Sequence, residues 1–266
     1  MAAYHAKKRL GQNFLKSESV IKRVIELVAP QAGEAIIEIG PGRGALTLPL
    51  ADSGARIVGV EFDRDLCGYL NKLAGRYGNI EIINADFLEF SPDKTSIPSF
   101  KLVGNLPYNI TSPVIDWCMR YHSRITGAVF MVQKELALRL AASPGTKDWS
   151  PLSVFTQALF TVEFGFDVAP SHFRPPPKVT SSVVFLSPRG RDVSTPGSAF
   201  ATVVRQSFRQ RRKLLVNNLS PDIVPGSEQA REILAEVGLD PGCRAEQVTI
   251  PQFLNLTDRL KRHKLV

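Results

Sequence analysis

The stretch Ala35-Ile36-Ile37-Glu38-Ile39-Gly40-Pro41-Gly42-Arg43-Gly44 decides the fold. Its first five residues are a short, β-branched run that reads as a buried parallel strand. The alternating glycines that follow mark a loop whose backbone can lie close against a ligand. Leu46, Leu48 and Leu50 then open a helix that breaks near Gly54. Strand, glycine loop and helix form the first unit of an alternating α/β pattern. A second strand runs from Arg56 to Val60 and ends at Glu61, and helical spacing follows over Leu66 to Leu73. Further strands are expected over Ile80 to Ile83, Lys101 to Gly104 and Ala128 to Val132, with helices after Pro113 and over Gln133 to Ala142. The alternation from 34 to 142 predicts a doubly wound, Rossmann-like parallel sheet. Thr161 to Val168 and Val179 to Leu186, around Pro175-Pro176-Pro177, add an expected antiparallel edge.

Ligands of such sheets bind beyond the carboxyl ends of the strands. Those ends carry the residues of interest. Glycines separated as in Gly40, Gly42 and Gly44 do not follow the dinucleotide spacing, and no Lys-Ser/Thr pair follows as in a phosphate loop. Glu61 ends the second strand, where an acid can accept hydrogen bonds from both ribose hydroxyls. Asp86 follows the third strand and can meet an adenine amino group, with Phe62 and Phe87 placed to flank the ring. A ligand with a ribose, an adenine and a positive centre fits this set, and S-adenosylmethionine answers that description. The fourth strand ends in Asn105-Leu106-Pro107-Tyr108. Here an amide, a proline-fixed turn and an aromatic face can hold an exocyclic amine and its ring. A polar turn with a half-buried Tyr is the plainer alternative for the tetrapeptide alone.

The chain has 266 residues, 44% of them hydrophobic and 22% charged, which is ample for a large core. Its formal net charge of +8 suits a polyanionic partner such as nucleic acid, or simply a soluble surface. Three scattered cysteines and four scattered histidines show no metal-ligand spacing, so no metal is expected. The cysteine usage, with no apolar leader and no long apolar run, predicts a cytoplasmic protein without a membrane partner. Residues 1–16 read as a basic N-terminal arm carrying Lys7, Lys8 and Arg9. Residues 17–187 form the expected sheet domain and 198–266 a small all-α domain. Within the latter, one helix is expected over Ala201 to Asn218. Arg205, Arg209, Arg212 and Lys213 would share its face as a phosphate-contacting stripe.

Together, Gln12-Asn13-Phe14-Leu15, Glu38-x-Gly40-Pro41-Gly42-x-Gly44, Glu61, Asp86, Asn105-Leu106-Pro107-Tyr108, Gln133-Lys134-Glu135 and Phe173-Arg174-Pro175-Pro176-Pro177-Lys178-Val179 resemble the ribosomal RNA adenine dimethyltransferase family. The resemblance runs from about Lys8 to Leu260. Gly238-Leu239-Asp240-Pro241 with Arg244-Ala245-Glu246-Gln247 resembles its small-subunit (KsgA/RsmA) branch rather than the methylases of large-subunit RNA. Thr180, where an acid is usual, and Asn84-Ala85, where a glycine is common, depart from the pattern. The resemblance implies S-adenosylmethionine as cofactor, held by Asn13, Leu15, Gly40, Gly42, Glu61, Asp86 and Asn105. It implies an adenine met by Asn105, Leu106, Tyr108 and Phe173, in the 16S rRNA of the small ribosomal subunit. Monomeric action is expected. A large-subunit methyltransferase and a non-catalytic assembly factor are the competing readings.

Overall fold

The computed structural model describes residues 7, 11–107, 110–190 and 198–266. In chain order the elements are β1 (Phe14–Leu15), α1 (Glu18–Val28), β2 (Ala35–Ile39), α2 (Thr47–Asp52), β3 (Arg56–Glu61), α3 (Arg64–Ala74), β4 (Ile80–Asn84), β5 (Phe100–Asn105), α4 (Thr111–Arg120), β6 (Ile125–Gln133), α5 (Lys134–Leu140), α6 (Pro151–Leu159), β7 (Phe160–Val168), β8 (Phe173–Arg174), β9 (Ser181–Pro188), α7 (Ala199–Ser207), α8 (Leu215–Leu219), α9 (Ser227–Glu236) and α10 (Ile250–Arg262).

Seven strands make one sheet in the order β4-β3-β2-β5-β6-β9-β7. The first five are parallel, and β9 runs antiparallel to β6, as the alternation and the proline-rich loop predict. After β2 the chain builds outward through β3 and β4, then returns to the other side of β2 with β5. The switch point therefore lies between β2 and β5, where loops diverge and leave a crevice. Register aligns the strand ends there: Ile39 pairs with Val60 and Gly104, and Glu61 with Asn84. At Gly104 a Cβ would stand 3.1 Å from both Cβ and the carbonyl oxygen of Ile39, so only glycine lets the two strands close up. On one side Val20, Val24 and Val28 of α1 are buried with Ile36, Ile57, Val103 and Val129. Their 4-residue spacing is the helical period that marks α1 in the sequence. Elsewhere in this unit, Trp117 of α4 donates its indole N–H to the Phe90 carbonyl (2.8 Å), and its ring lies 4.6 Å from that of Phe87.

The chain divides into two compact units: Met1–Ala137 with Val162–Pro188, and Leu138–Thr161 with Arg189–Val266. The expected boundary between 187 and 198 thus misses an excursion. Leu138–Thr161 belongs with the C-terminal helices, because the apolar side of α6 packs there. Phe155 meets Phe200 with ring centroids 6.3 Å apart, and the buried Trp149 donates its indole N–H to the Val248 carbonyl at 3.0 Å. The branch-like segment after α9 also serves this unit. The Glu246 carbonyl accepts from the Gly145 N–H at 2.7 Å, and its carboxylate takes the Arg211 guanidinium at 3.2 Å.

Two further expectations are corrected. Residues 11–16 are not an arm: Phe14 and Leu15 pair antiparallel with Arg174 and Phe173, making a separate two-stranded sheet. The helix expected over 201–218 stops at Ser207, and 208–213 is a turn. The cause is Asn218, which is 3% exposed. Its amide donates to the carbonyls of Ser207 (2.7 Å) and Gln210 (3.1 Å) and accepts from the Gln210 N–H (3.1 Å). These bonds satisfy the last carbonyl of α7 and the turn after it from the side, and replace a continued helix. The basic residues therefore do not form one stripe. Arg205 lies 5.2 Å over the Phe155 ring, Arg209 pairs with Asp222, and Arg212 and Lys213 are exposed on the turn.

Asn218→Ala takes the amide partner from the Gln210 N–H and from the buried Ser207 carbonyl, while the Gln210 carbonyl keeps the Lys213 N–H at 2.9 Å. It is expected to lower stability by about 2–3 kcal/mol. Urea unfolding followed by circular dichroism measures this, and an unchanged midpoint would show that the turn holds itself.

Candidate active site

The ends of β2, β3 and β5, the turn after β4 and the β1–β8 pair enclose a cleft of about 300 Å³. The glycine loop forms its floor because its backbone is left-handed at Gly40 (φ 62°), Gly42 (59°) and Gly44 (81°). At Gly42 a Cβ would also stand 3.2 Å from the Phe14 ring. At Gly40 no atom lies within 4 Å of that position, so the bare backbone meets open space. Pro41 seats the loop on β3, where a Cβ on Gly59 would fall 2.9 Å from the Pro41 ring.

Glu61 ties these parts together. One carboxylate oxygen accepts from the Gly42 N–H and the other from the Asp63 N–H, both at 2.9 Å. The carboxylate retains acceptor capacity for a ligand hydroxyl. Burial raises the Glu61 pKa, with a smaller push from Asp63, and backbone N–H groups at Asp63, Gly42 and Phe62 oppose that shift. Asn84, one of the departures from the family pattern, donates to the carbonyls of Glu61 (2.9 Å) and Phe62 (3.1 Å) and fixes the strand end. Asp63 caps α3 by accepting from the Asp65 N–H at 3.1 Å. It also receives Lys7 Nζ at 2.7 Å and Gln12 Nε2 at 3.2 Å, which draws the N-terminal segment onto the cleft. The Asp63 junction went unnoticed in the sequence, although an Asp preceding a helical run is a capping signal.

Asn13, Leu15, Gly40, Gly42, Glu61, Asp86, Asn105, Leu106 and Phe173 all line this one cleft. So do Phe62, which is 61% exposed, and Phe87, which is buried. Tyr108 lies outside the described residues, as do Lys8 and Arg9. Lys7 points inward to Asp63 and Asp65. Asp86 accepts from the Leu88 N–H at 2.9 Å through one oxygen. Asn105 donates its amide nitrogen to the Asn13 carbonyl at 2.9 Å. A carbonyl can only accept, so this bond fixes which way the amide points and leaves its oxygen as an open acceptor. The Leu106 N–H is bound to the Met131 carbonyl at 2.9 Å, while among the described residues nothing donates to the Leu106 carbonyl. Two acceptors thus stand side by side at the end of β5. Among the described residues lining the cleft there is no His, Cys or Lys, and no cluster of metal-ligating side chains occurs. No described helix is long and apolar enough to cross a membrane.

Residues 3–262 match the family of ribosomal RNA adenine dimethylases. The chain belongs to that family. It is 40% identical over 266 residues to a ribosomal RNA small subunit methyltransferase A of Bordetella bronchiseptica, covering 98% of this chain and 96% of that one. A protein of the same name from Xanthomonas campestris is 42% identical, with 95% of each covered. Among solved structures, a dimethyladenosine transferase from Plasmodium falciparum superposes with a TM-score of 0.78 at 25% identity, covering 91% of this chain and 95% of that one. The 23S rRNA methyltransferase ErmE gives 0.71 at 31% identity, covering 94% and 100%. The adenine dimethylase family is thus matched across both compact units. The doubly wound sheet with its antiparallel strand is the family's methyltransferase fold, and the helical C-terminal unit completes it.

Glu38 has an unusual place in the cleft wall. It is 2% exposed and accepts the Thr47 hydroxyl at 2.6 Å. Burial raises its pKa to about 8, against the Thr47 hydrogen bond and with a smaller push from Glu61. The folded chain therefore holds this proton at pH values where the unfolded chain, near 4.5, has released it. Stability attributable to Glu38 is full below about pH 4.5, falls as pH rises, and is lost above about 8. Glu38→Gln keeps the shape without the ionisation. Its unfolding midpoint in urea is expected to exceed that of the parent more at pH 8.5 than at pH 5.5, and a constant difference would contradict the burial argument.

Proposed function

We propose that this chain dimethylates the 6-amino groups of two adjacent adenosines in the hairpin loop near the 3′ end of 16S rRNA, using S-adenosylmethionine and acting on the small ribosomal subunit during its biogenesis. The observation that carries the reading is the oriented Asn105 amide beside the bare Leu106 carbonyl, in a chain 40–42% identical to proteins named small subunit methyltransferase A.

The donor set suits this cofactor. Glu61 retains acceptor capacity at the position of a ribose, Asp86 stands one strand further at that of an adenine, and Phe62 and Phe87 line the same end. Among the described residues no lysine lines the cleft to favour a polyphosphate. Asn13, Leu15, Gly40 and Gly42 complete the set. When bound, the cofactor supplies a methyl group made electrophilic by its sulfonium.

The chain's part is then one of placement. An adenine amine is a weak nucleophile because its lone pair is delocalised into the ring. Asn105 Oδ1 and the Leu106 carbonyl accept its two N–H bonds, which favours a pyramidal nitrogen with its lone pair turned toward the methyl. As nitrogen gains the methyl it becomes cationic, and the same two acceptors stabilise that charge until one proton passes to solvent water. Phe173 and Tyr108 clamp the base, and such stacking contributes about 1–3 kcal/mol. The base must leave its own stack to reach them. Outside the cleft, Arg205, Arg209, Arg212 and Lys213 supply phosphate contacts in the helical unit. Arg212 and Lys213 on the Asn218-held turn are the most exposed to a partner. Lys8 and Arg9 are assigned the same role at the N-terminus, whereas Lys7 is engaged by Asp63 and Asp65.

Radiolabelled S-adenosylmethionine offered with undermethylated small subunits, large subunits and free RNA tests the reading. Dimethyladenosine from small subunits alone is expected. Label in large-subunit RNA would favour the ErmE-like reading, which the 31% identity keeps as the second choice. Asn105→Ala is expected to bind cofactor measurably and to lose at least a hundredfold in turnover, the scale of removing one preorganised transition-state partner. Undiminished turnover would remove Asn105 from the reaction.

A further inference from the structure

Two stretches singled out by the sequence, Gln133-Lys134-Glu135 and the run from Phe173 to Val179, meet beside the cleft, and the proposed reaction uses only Phe173 from them. Phe173 lies in the connection of residues 169–180, which joins the end of β7 to the start of β9. The near arm of this connection is well tied. Leu15 pairs with Phe173 and Phe14 with Arg174, and the Lys16 N–H donates to the His172 carbonyl at 2.9 Å. The far arm is not. Pro175, Pro176 and Pro177 have no N–H to give to a ladder. Among the described residues the next backbone hydrogen bond comes only at Thr180, whose carbonyl accepts from the Lys134 N–H at 3.0 Å.

Asp167 closes the connection at its base. It stands next to the last residue of β7, and its two oxygens take different partners. One accepts the hydroxyl of Ser182, the second residue of β9, at 2.6 Å. The other accepts the ammonium of Lys134, the first residue of α5, at 2.5 Å. Ser182 is fully buried, so the carboxylate has a fixed anchor. Lys134 also holds Thr180 through its N–H, so the ion pair and the backbone bond bring the far arm in together. Both ends of the connection and the turn after β6 thus converge on one side chain. Val168, Phe173 and Val183 are buried in one core cluster with Leu15 and Met131, so a shift at this base is passed to Phe173 by packing. The ion pair itself is half exposed, and such pairs contribute little to overall stability. What it can supply is placement.

We propose that Asp167, through Lys134 and Ser182, is a positioning residue of the methyl transfer. It sets where the Phe173 ring stands against the target adenine, although none of the three side chains lines the cleft. The inference rests on the reading of Phe173 as a base clamp. A stacked base tolerates little displacement before its amine loses its line to the methyl, and misplacement by about 1 Å can cost up to about a hundredfold in rate. The Gln133-Lys134-Glu135 stretch thereby gains a part in the reaction from outside the cleft: Lys134 is the cation that keeps the connection closed.

Single-turnover methyl transfer from radiolabelled S-adenosylmethionine to undermethylated small subunits, at saturating cofactor, tests this in the full chain. Phe173→Leu, which removes the flat face and keeps an apolar side chain, is expected to slow the step about tenfold. Lys134→Met and Asp167→Ala are each expected to slow it about three- to tenfold. In Lys134→Met the Kd for S-adenosylmethionine, read by calorimetry, and the urea midpoint should stay those of the parent. Lys134→Met combined with Phe173→Leu should be no slower than Phe173→Leu alone, because a displaced clamp and an absent one are the same loss. Losses that multiply in the double variant would overturn the role, since the ion pair would then act elsewhere. So would full turnover in both Lys134→Met and Asp167→Ala, or a fall that only follows a lower urea midpoint. Undiminished turnover in Phe173→Leu would remove the clamp, and the inference with it, while leaving methyl transfer standing. No turnover by the parent would overturn the small-subunit reading as well.

Discussion

The carboxylate of Glu61, held between the backbone N–H groups of Gly42 and Asp63, is the contact on which the rest of the cleft depends. It joins three pieces that the chain does not connect locally: the loop after β2, the end of β3 and the start of α3. Through Asp63 it reaches a fourth, since that side chain both caps α3 and receives Lys7 and Gln12. The N-terminal segment is thereby drawn along the mouth of the sheet, where the Asn13 carbonyl orients Asn105. A single buried acid thus sets the floor on one side and, three contacts later, the acceptor on the other. Its backbone bonds offset part of the cost of burying a carboxylate and still leave it acceptor capacity for a ribose.

The parts of this arrangement that were legible in the sequence are those with short-range causes. The β-branched run of β2, the glycines after it and the acids at successive strand ends each carry a local signal, and their order along the chain gives the sheet and its switch point. The β1–β8 pair has no such signal. Two-residue strands show no periodicity, and the residues they join are far apart in the chain, so Phe14 and Leu15 read as part of a basic arm. The turn at 208–213 is hidden for the opposite reason. Phe208, Leu214 and Leu215 keep an apolar spacing compatible with one helix, and what ends the helix is a side chain beyond it, the buried amide of Asn218. A tertiary hydrogen bond of that kind overrides propensity, and no pattern within the segment announces it.

Domain limits show the same distinction. The linker before α7 is visible by composition, but the departure of 138–161 from the sheet unit rests on where α6 and Trp149 bury their apolar surface. Leu152 to Phe160 is recognisable as a helix from its spacing, yet spacing is silent about the partner of its apolar face. The consequence bears on RNA contact. Arg205, Arg209, Arg212 and Lys213 are displayed from two backbone geometries rather than one. Arg209 and Arg211 are matched by Asp222 and Glu246, so the positive charge presented outward is concentrated on fewer side chains than the run suggests.

Charge is distributed unevenly along the cleft, and the proposed chemistry accounts for the unevenness. Acids stand at the end assigned to a cationic cofactor, whereas the end assigned to the amine has only neutral acceptors, an amide oxygen and a peptide carbonyl. A carboxylate at position 105 would accept the first amine more strongly. After one methylation, however, the nitrogen has a single N–H left, and one acceptor must go unpaired in the second round. Leaving a buried carboxylate unpaired costs several times what an amide or carbonyl costs. Neutral acceptors can therefore serve both the amine and its monomethylated form in one site. The bond from Asn105 to the Asn13 carbonyl keeps the amide from turning its nitrogen toward the substrate when its oxygen is idle.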